Sequence, residues 1–486
     1  MAKVSNAKKI LKGISVQTIM TILNGVIQII VFAIMSRLLT REEFGYFALI
    51  QAIVAIFMSL SEAGVGAAIV QKKDVNSQFI NTAFTCSLCV GLFFMVILML
   101  ASSYLSERLN VETLAVPFLI VSTTLVMNSL SSVARSIMQR ELKFLEIGIL
   151  QFLAYIISSS IGIYLAISGL GLYAIISSFV ANSFLFMLLL YLFIPNKFRL
   201  ELNIHDMKSI MQFGGWLTMG VIVRNIEQQV DKFMLSKWLS VKALGAYNRP
   251  VGFINTISSN LNGIFDVVLF PILSGVQDKK EALQSAYRQS LFFMNVFSMM
   301  IGLIFFFNAD LIISIFLGEL WRDMIPVFQI VSITLIFNIN SRLVDCYFRS
   351  LAYVKQSFYI RMIACILVIA GIYIGMRWDV IGVAIASLVC NVVVVMIKLF
   401  YLSTKIDISW ASTIYGMMNA WRFSIILLPL GVLYLLFLPH TLLVNICFAV
   451  MFGIAILCEF LFFPCFVGHL YKEKIYVHVK KYFDRW

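Results

Sequence analysis

Residues 213–245 read FGGWLTMGVIVRNIEQQVDKFMLSKWLSVKALG. A helix that crosses a bilayer takes about 20 mostly apolar residues, and this run is long enough, yet Arg224, Glu227, Asp231 and Lys232 lie inside it. Ionised groups in hydrocarbon cost several kcal/mol each unless they face protein or trapped water, so such positions point to use. At about 100° per residue, Arg224, Glu227, Gln228 and Asp231 fall within about a third of the helix circumference. One face of the helix is polar, and the rest suits lipid or other helices.

The stretch has a counterpart near the N-terminus. A shift of 200 residues lays Ser36, Arg37 and Leu39 over Ser236, Lys237 and Leu239, Gly45 over Gly245 and Gln28 over Gln228. Val31 and Phe32 stand where the second copy has Asp231 and Lys232. The match continues at an offset of 209, with Arg140 over Arg349, Gly162-Ile163-Tyr164 over Gly371-Ile372-Tyr373, and Ser178 and Asn182 over Ser387 and Asn391. An offset of 204 pairs Glu62 with Asp266. The chain reads as two related halves, with buried charge mostly in the second.

Composition agrees with a membrane setting. Of 486 residues, 61% are hydrophobic and 13% charged, with a mean hydropathy of +0.95, against roughly 45–50% and 25% in soluble domains. The apolar runs lack the two-residue alternation of barrel strands, so the fold class is all-α and polytopic. About fourteen spans are expected: 14–37, 45–70, 79–103, 114–136, 147–167, 170–194, 211–237, 246–274, 288–308, 324–347, 358–376, 380–402, 421–438 and 441–466. The division that follows is a cytoplasmic N-terminus (1–13), a six-span lobe (14–194), a linker (195–210), a second six-span lobe (211–402), two extra spans (403–466) and a basic tail (467–486). Six spans before the linker make the repeat parallel, with a substrate site expected between the lobes.

The formal net charge of +13 is placed in short segments and at both ends rather than in a basic module, so positive-inside bias explains it better than nucleic acid. QKKD at 71–74, DKKE at 278–281, the trio Arg349, Lys355 and Arg361, and the lysine-rich tail fall on one side. Segments 106–113 and 308–323 on the other side are near neutral or acidic. Both termini are therefore expected in the cytoplasm. The N-terminal MAKVSNAKKILKG reads as a retained end rather than a cleaved signal.

Chemistry-bearing residues are few. On the tenth span Asn338, Arg342, Asp345 and Arg349 share one face, where the first-half copy has Ser129, Val133, Ser136 and Arg140. One reading is a water-filled, partly cationic cavity between lobes, with Arg224, Arg342 and Arg249 attracting an anionic group such as a diphosphate. Asn225, Gln228, Asp231, Lys232, Asn338 and Asp345 would complete its wall. The other reading is structural, with Arg342–Asp345 and Arg224–Glu227–Asp231 as ion pairs that pack the bundle. Arg140 and Arg349 suit either inner-face phosphate contacts or snorkelling. Glu62, Asp266 and Glu227 are candidates for ion coupling or gating. Cys86-x-x-Cys89 sits in an apolar span without His or acidic neighbours, and the four histidines are scattered at segment ends. Neither set requires a metal or another cofactor. No outer loop exceeds about 20 residues, and no P-loop or catalytic triad appears, so the chain is expected to be a transporter rather than an enzyme.

LSEAGVGAAIVQKKD at 60–74, the block 213–250 and LFPILSGVQDKKEALQSAYRQS at 269–290 resemble the polysaccharide transporter family of Wzx-type lipid-linked oligosaccharide flippases, within the multidrug/oligosaccharidyl-lipid/polysaccharide exporter superfamily. The resemblance covers nearly the whole chain. It implies two six-helix bundles plus two extra helices in the bacterial inner membrane. The implied activity moves an undecaprenyl-diphosphate-linked repeat unit outward by alternating access, for capsule, O-antigen or exopolysaccharide assembly. It also implies a cationic cavity, surrounding membrane lipids, H+ or Na+ as a coupling ion, and a downstream polymerase as partner. Two alternatives stand beside it. A cation-coupled organic-cation exporter on the same scaffold would have an acid-dominated cavity, and a membrane-embedded polymerase would have a long catalytic outer loop.

Overall fold

A computed structural model describes residues 2–452 apart from 63–64, 73–74, 110, 142, 195–197, 277–278, 352, 423–426, 438–443, 446–447 and 449. The side chains of Glu62, Asp266 and residues 211–220 lie outside the described set, as does most of the fourteenth expected span. Every regular element among the described residues is helical. The first half contains α1 (Ala2–Leu38), α2 (Arg41–Glu62), α3 (Val65–Gln71), α4 (Ser77–Arg108), α5 (Ala115–Arg140), α6 (Phe144–Ile167) and α7 (Leu172–Phe193). The second contains α8 (Ile204–Trp238), α9 (Val241–Val276), α10 (Lys280–Phe307), the short α11 (Ala309–Ile312), α12 (Ile325–Ser350), α13 (Val354–Gly375) and α14 (Asp379–Lys405). After these come α15 (Trp410–Arg422) and α16 (Leu427–Phe437). Nine stretches among the described residues are long and apolar enough to cross a membrane.

The packing repeats with the sequence. In the first half α4 packs on α5, α6 on α7, α5 on α7, α1 on α6 and α2 on α5. The corresponding helices of the second half make the same contacts: α10 on α12, α13 on α14, α12 on α14, α8 on α13 and α9 on α12. Between the halves, α2 meets α8 and α9, and α1 meets α9.

Two elements differ from the expected spans. The 45–70 segment is two helices, α2 and α3. Gly66 brings α3 so close to α5 that a Cβ there would crowd the hydroxyls of Ser132 and Ser136. Arg140 of α5 then donates to the carbonyls of Ile69 and Lys72, satisfying acceptors that a helix end leaves open. The second difference is α15. At 13 residues it rises only about 20 Å, too short to span. It buries Thr413, Met417 and Ala420, one face at helical spacing, and packs on α10.

Polar capping sets helix starts. The Asn76 side chain accepts from the Phe79 amide (2.8 Å), and Asn203 accepts from His205 (2.9 Å), closing the first turns of α4 and α8. The chain before α8 is strapped to α4: the amides of Arg199, Glu201 and Asn203 donate to Asn81, Thr85 and Thr82 at 3.1–3.2 Å. This fixes the start of α8, and with it the orientation of its charged face.

Where α1 turns into α2, the halves are locked together. Gly45 and Gly245, repeat-equivalent residues, let α2 and α9 cross at backbone distance. A Cβ on Gly45 would collide with the Val241 carbonyl, and one on Gly245 with the Arg41 carbonyl. The segment between α10 and α12 closes over this crossing. Gly318, with φ of 95°, supplies the left-handed turn there. It brings down Trp321, which is fully buried and donates from Nε1 to the Ser36 carbonyl (3.1 Å). Arg37 donates to the Ile315 carbonyl (2.6 Å), and Arg41 pairs with Asp323 (Nη1–Oδ2 2.7 Å) while its guanidinium lies over the Trp321 ring.

Candidate functional site

Away from that closure the halves enclose a cavity of about 810 Å³, within the ~300–1,000 Å³ usual for small-molecule sites. Among the described residues, six basic side chains line it (Arg224, Lys232, Arg249, Arg342, Arg361 and Lys398) against three acidic ones (Glu227, Asp231 and Asp345). All nine come from the second half. The α8 face works as its spacing suggests, since Arg224, Glu227, Gln228 and Asp231 all reach the cavity.

The charges form a network centred on Asp345 of α12. Its Oδ2 accepts from Arg361 of α13 (2.7 Å) and its Oδ1 from Lys398 of α14 (3.1 Å), while Lys398 also donates to the Ser341 hydroxyl (2.8 Å). Arg361 is 3.8 Å from Glu227 of α8. Asp345 is thus shared by cations from two other helices rather than paired within α12. Arg342 is held less tightly: its Nε is buried without a hydrogen-bond partner among the described residues. Arg224 forms no ion pair or side-chain hydrogen bond among the described residues, and the charges that act on it are those of Arg361, Arg342, Asp345 and Arg349. Arg224 and Arg342 both line the cavity, and guanidiniums gathered in one low-dielectric site favour an anion beside them.

The remaining predicted residues are placed as follows. Asn338 accepts from Asn391 (2.6 Å), and Lys232 donates from Nζ to Gln229 (2.6 Å). Asp231 accepts from the Lys232 amide (2.8 Å). Arg249 lines the cavity but acts as a strut, donating to the Ser36 hydroxyl (2.7 Å) and the Phe32 carbonyl, with its guanidinium over the rings of Phe32 and Phe44. Asn225 points elsewhere and donates to Ser59 on α2. Arg140 caps α3, and Arg349 is exposed with Nε donating to the Asp345 carbonyl (3.4 Å). Neither belongs to the cavity wall. No group of three or more potential metal ligands occurs among the described residues.

Sequence reasoning missed Lys398 and the cavity role of Arg361, which was counted only with the inner-segment charges and faces the cavity from α13. A signal for Lys398 existed. Ser387, Asn391, Val394 and Lys398 follow one helical stripe, and all four line the cavity.

Two pseudo-symmetric sets of membrane-length helices around a charged cavity define a polytopic transporter. The comparisons agree. The profile of the polysaccharide biosynthesis protein family matches residues 34–326, more than half of the chain, and the chain belongs to that family. It is 25% identical over 395 residues to the lipopolysaccharide biosynthesis protein WzxC of Escherichia coli (strain K12), covering 80% of this chain and 79% of the relative. It is 21% identical over 336 residues to the teichuronic acid biosynthesis protein TuaB of Bacillus subtilis (strain 168), covering 68% of each. Among solved structures, the lipid II flippase MurJ in an inward closed conformation aligns with a TM-score of 0.67 at 18% identity, over 93% of this chain and 99% of that one. An inward-facing multidrug resistance MATE transporter of the MOP superfamily aligns at 0.64 and 13% identity, over 81% and 98%. The fold is therefore that of the MOP superfamily.

Proposed function

We propose that this protein flips an undecaprenyl-diphosphate-linked oligosaccharide repeat unit from the cytoplasmic to the outer face of the bacterial inner membrane by alternating access, for assembly of a surface polysaccharide. The observation that carries this reading is the basic surplus of the cavity, with Arg224 and Arg342 both holding donors free for a ligand. Guanidinium forks match diphosphate oxygens two at a time. A protein-lined route removes most of the cost of taking a diphosphate and several sugars through hydrocarbon, and the polyprenyl tail stays in lipid. The names of the relatives, lipopolysaccharide and teichuronic acid biosynthesis, support a polysaccharide precursor as cargo. The same basic surplus weighs against an organic cation.

In this reading the α1–α2 closure is the outer gate, and the termini are cytoplasmic. A gradient of H+ or Na+ supplies the driving force, with Glu62, Asp266 and Glu227 as its candidate acids, and a polymerase receives the flipped unit. The test is depletion in the native host, followed by analysis of the lipid-linked intermediates and the membrane face on which they sit. Accumulation of a cytoplasm-facing undecaprenyl-diphosphate oligosaccharide is the expected result. No accumulation, or accumulation on the outer face, removes the proposal.

A further inference from the structure

The two walls of the cavity differ in kind. Among the described residues the first half contributes Gln28, Gln51, Tyr155, Ser158, Ser178 and Asn182, together with aromatic rings, and no Asp, Glu, Lys or Arg. The difference is written into the repeat. Amides and hydroxyls are kept in both copies, at Gln28 and Gln228, Gln51 and Asn255, Ser178 and Ser387, and Asn182 and Asn391, and all eight line the cavity. The charges that line the cavity among the described residues occur in the second copy only. Where the second half has Arg342, Asp345, Arg361 and Lys398, the first has Val133, Ser136, Phe152 and Leu189.

The second wall adds cations to its amides and hydroxyls, whereas the described first-half wall offers amides, hydroxyls and rings alone. A diphosphate needs cations and donors. A sugar hydroxyl both donates and accepts, and lysine and arginine have no acceptor to offer it, whereas glutamine, asparagine and serine have both functions. The C–H faces of a pyranose are apolar and pack on aromatic rings; Phe47 and Phe179 reach the cavity beside these amides, edge to face at 5.9 Å. The Gln28 and Gln51 side chains form no hydrogen bond to another described residue, so their amides are open to a ligand.

We infer that the first-half wall is a separate subsite for the uncharged, hydroxyl-rich sugar rings of the cargo, and that this wall selects which repeat unit is carried. The inference rests on the flippase reading. The cationic wall holds a diphosphate common to all such lipids and does not discriminate. Selection comes from the amides, because a site built to hydrogen-bond a hydroxyl leaves buried polar groups unpaired when the hydroxyl is missing.

The test uses the full-length protein in nanodiscs and two probes: bare undecaprenyl diphosphate, and the lipid-linked oligosaccharide extracted from host cells depleted of the protein. Wild type is expected to bind the oligosaccharide lipid at least about tenfold more tightly than the bare one, a modest gain for a few hydrogen bonds to sugar. Gln51→Leu and, as an independent variant, Asn182→Leu should bring that ratio towards one while affinity for the bare lipid is unchanged, which also shows that they are folded. Arg342→Ala should weaken both probes by the same factor. If the first-half variants keep the wild-type ratio, or if Arg342→Ala alone abolishes it, this inference is overturned and the flippase reading stands. If the depleted cells yield no such lipid, or wild type binds neither probe, the flippase reading itself fails and this inference with it.

Discussion

Asp345 accepts from Arg361 and from Lys398, and Lys398 is only 3% exposed. Removing one partner of a buried pair leaves an uncompensated charge, at about 3–5 kcal/mol. Asp345→Asn leaves Arg361 with only Glu227 at 3.8 Å and Lys398 with only the Ser341 hydroxyl, and is expected to lower the thermal unfolding midpoint of the purified protein sharply. Lys398→Met leaves Asp345 still bound to Arg361 and should cost less, and the double variant should recover part of the loss. A Lys398→Met protein as unstable as Asp345→Asn would mean that Arg361 does not hold the carboxylate. The two cavity arginines invite a second contrast. Arg249 is anchored by Ser36, Phe32 and two aromatic rings, whereas Arg342 has an open Nε. Arg249→Ala should therefore reduce protein abundance. Arg342→Ala should leave abundance intact and lower transport about 10- to 100-fold, the value of a charged hydrogen bond worth about 1.5–3 kcal/mol. Quantitative membrane blots beside a polysaccharide export assay separate the two. At this scale the sequence was partly legible. Charges inside the α8 run announce themselves because hydrocarbon tolerates them poorly, but Arg361 and Lys398 lie near the ends of apolar runs, where an interfacial position explains a charge equally well. Only the third dimension shows that both turn inward to one carboxylate.

Helices α2 and α9 owe their crossing to one glycine each, at positions that the repeat makes equivalent. The contact is backbone on backbone, so a side chain there has no flexible neighbour to push aside. Gly245→Val is expected to destabilise by about 1–3 kcal/mol through overpacking and to stop export even where protein remains. A Gly263→Val variant on the same helix is the control, since a Cβ at Gly263 meets only a methyl group at 4.0 Å. Equal effects at the two sites, read as unfolding midpoints and export, would show that the crossing is not close-packed. Element positions were largely legible, because 20-residue apolar runs and the 200-residue offset carry them. The break between α2 and α3 and the existence of α15 were not. The first depends on how Gly66 fits against serines of α5, and the second on a half-buried 13-residue face that no spanning criterion detects. The strap before α8 was read as a plain linker, yet its backbone bonds to α4 are invisible to composition.

Across the whole molecule, the alternating access proposed above would require the closure beside the α1–α2 turn to open while both helix sets keep their internal packing. Among the contacts that hold it, two side-chain interactions differ most in magnitude. In the Arg41–Asp323 pair the carboxylate side chain is 54% exposed and the arginine 17%, and a pair with one partner in solvent stays near the ~0–1 kcal/mol of exposed pairs. Trp321 is fully buried among both halves and hydrogen-bonded to Ser36, and truncating a buried tryptophan to alanine costs about 3–5 kcal/mol. The tryptophan, not the ion pair, is therefore expected to set the population of the closed state. Spin labels at Glu42→Cys and Leu320→Cys, exposed positions on either side of the closure, would report it by pulsed electron resonance once the native cysteines are replaced by serine. Wild type should show one short distance, Asp323→Ala should keep it almost unchanged, and Trp321→Ala should add a longer population. If Asp323→Ala opens the closure as far as Trp321→Ala does, the guanidinium contacts of Arg41 carry the gate and the buried ring merely fills the space beneath them.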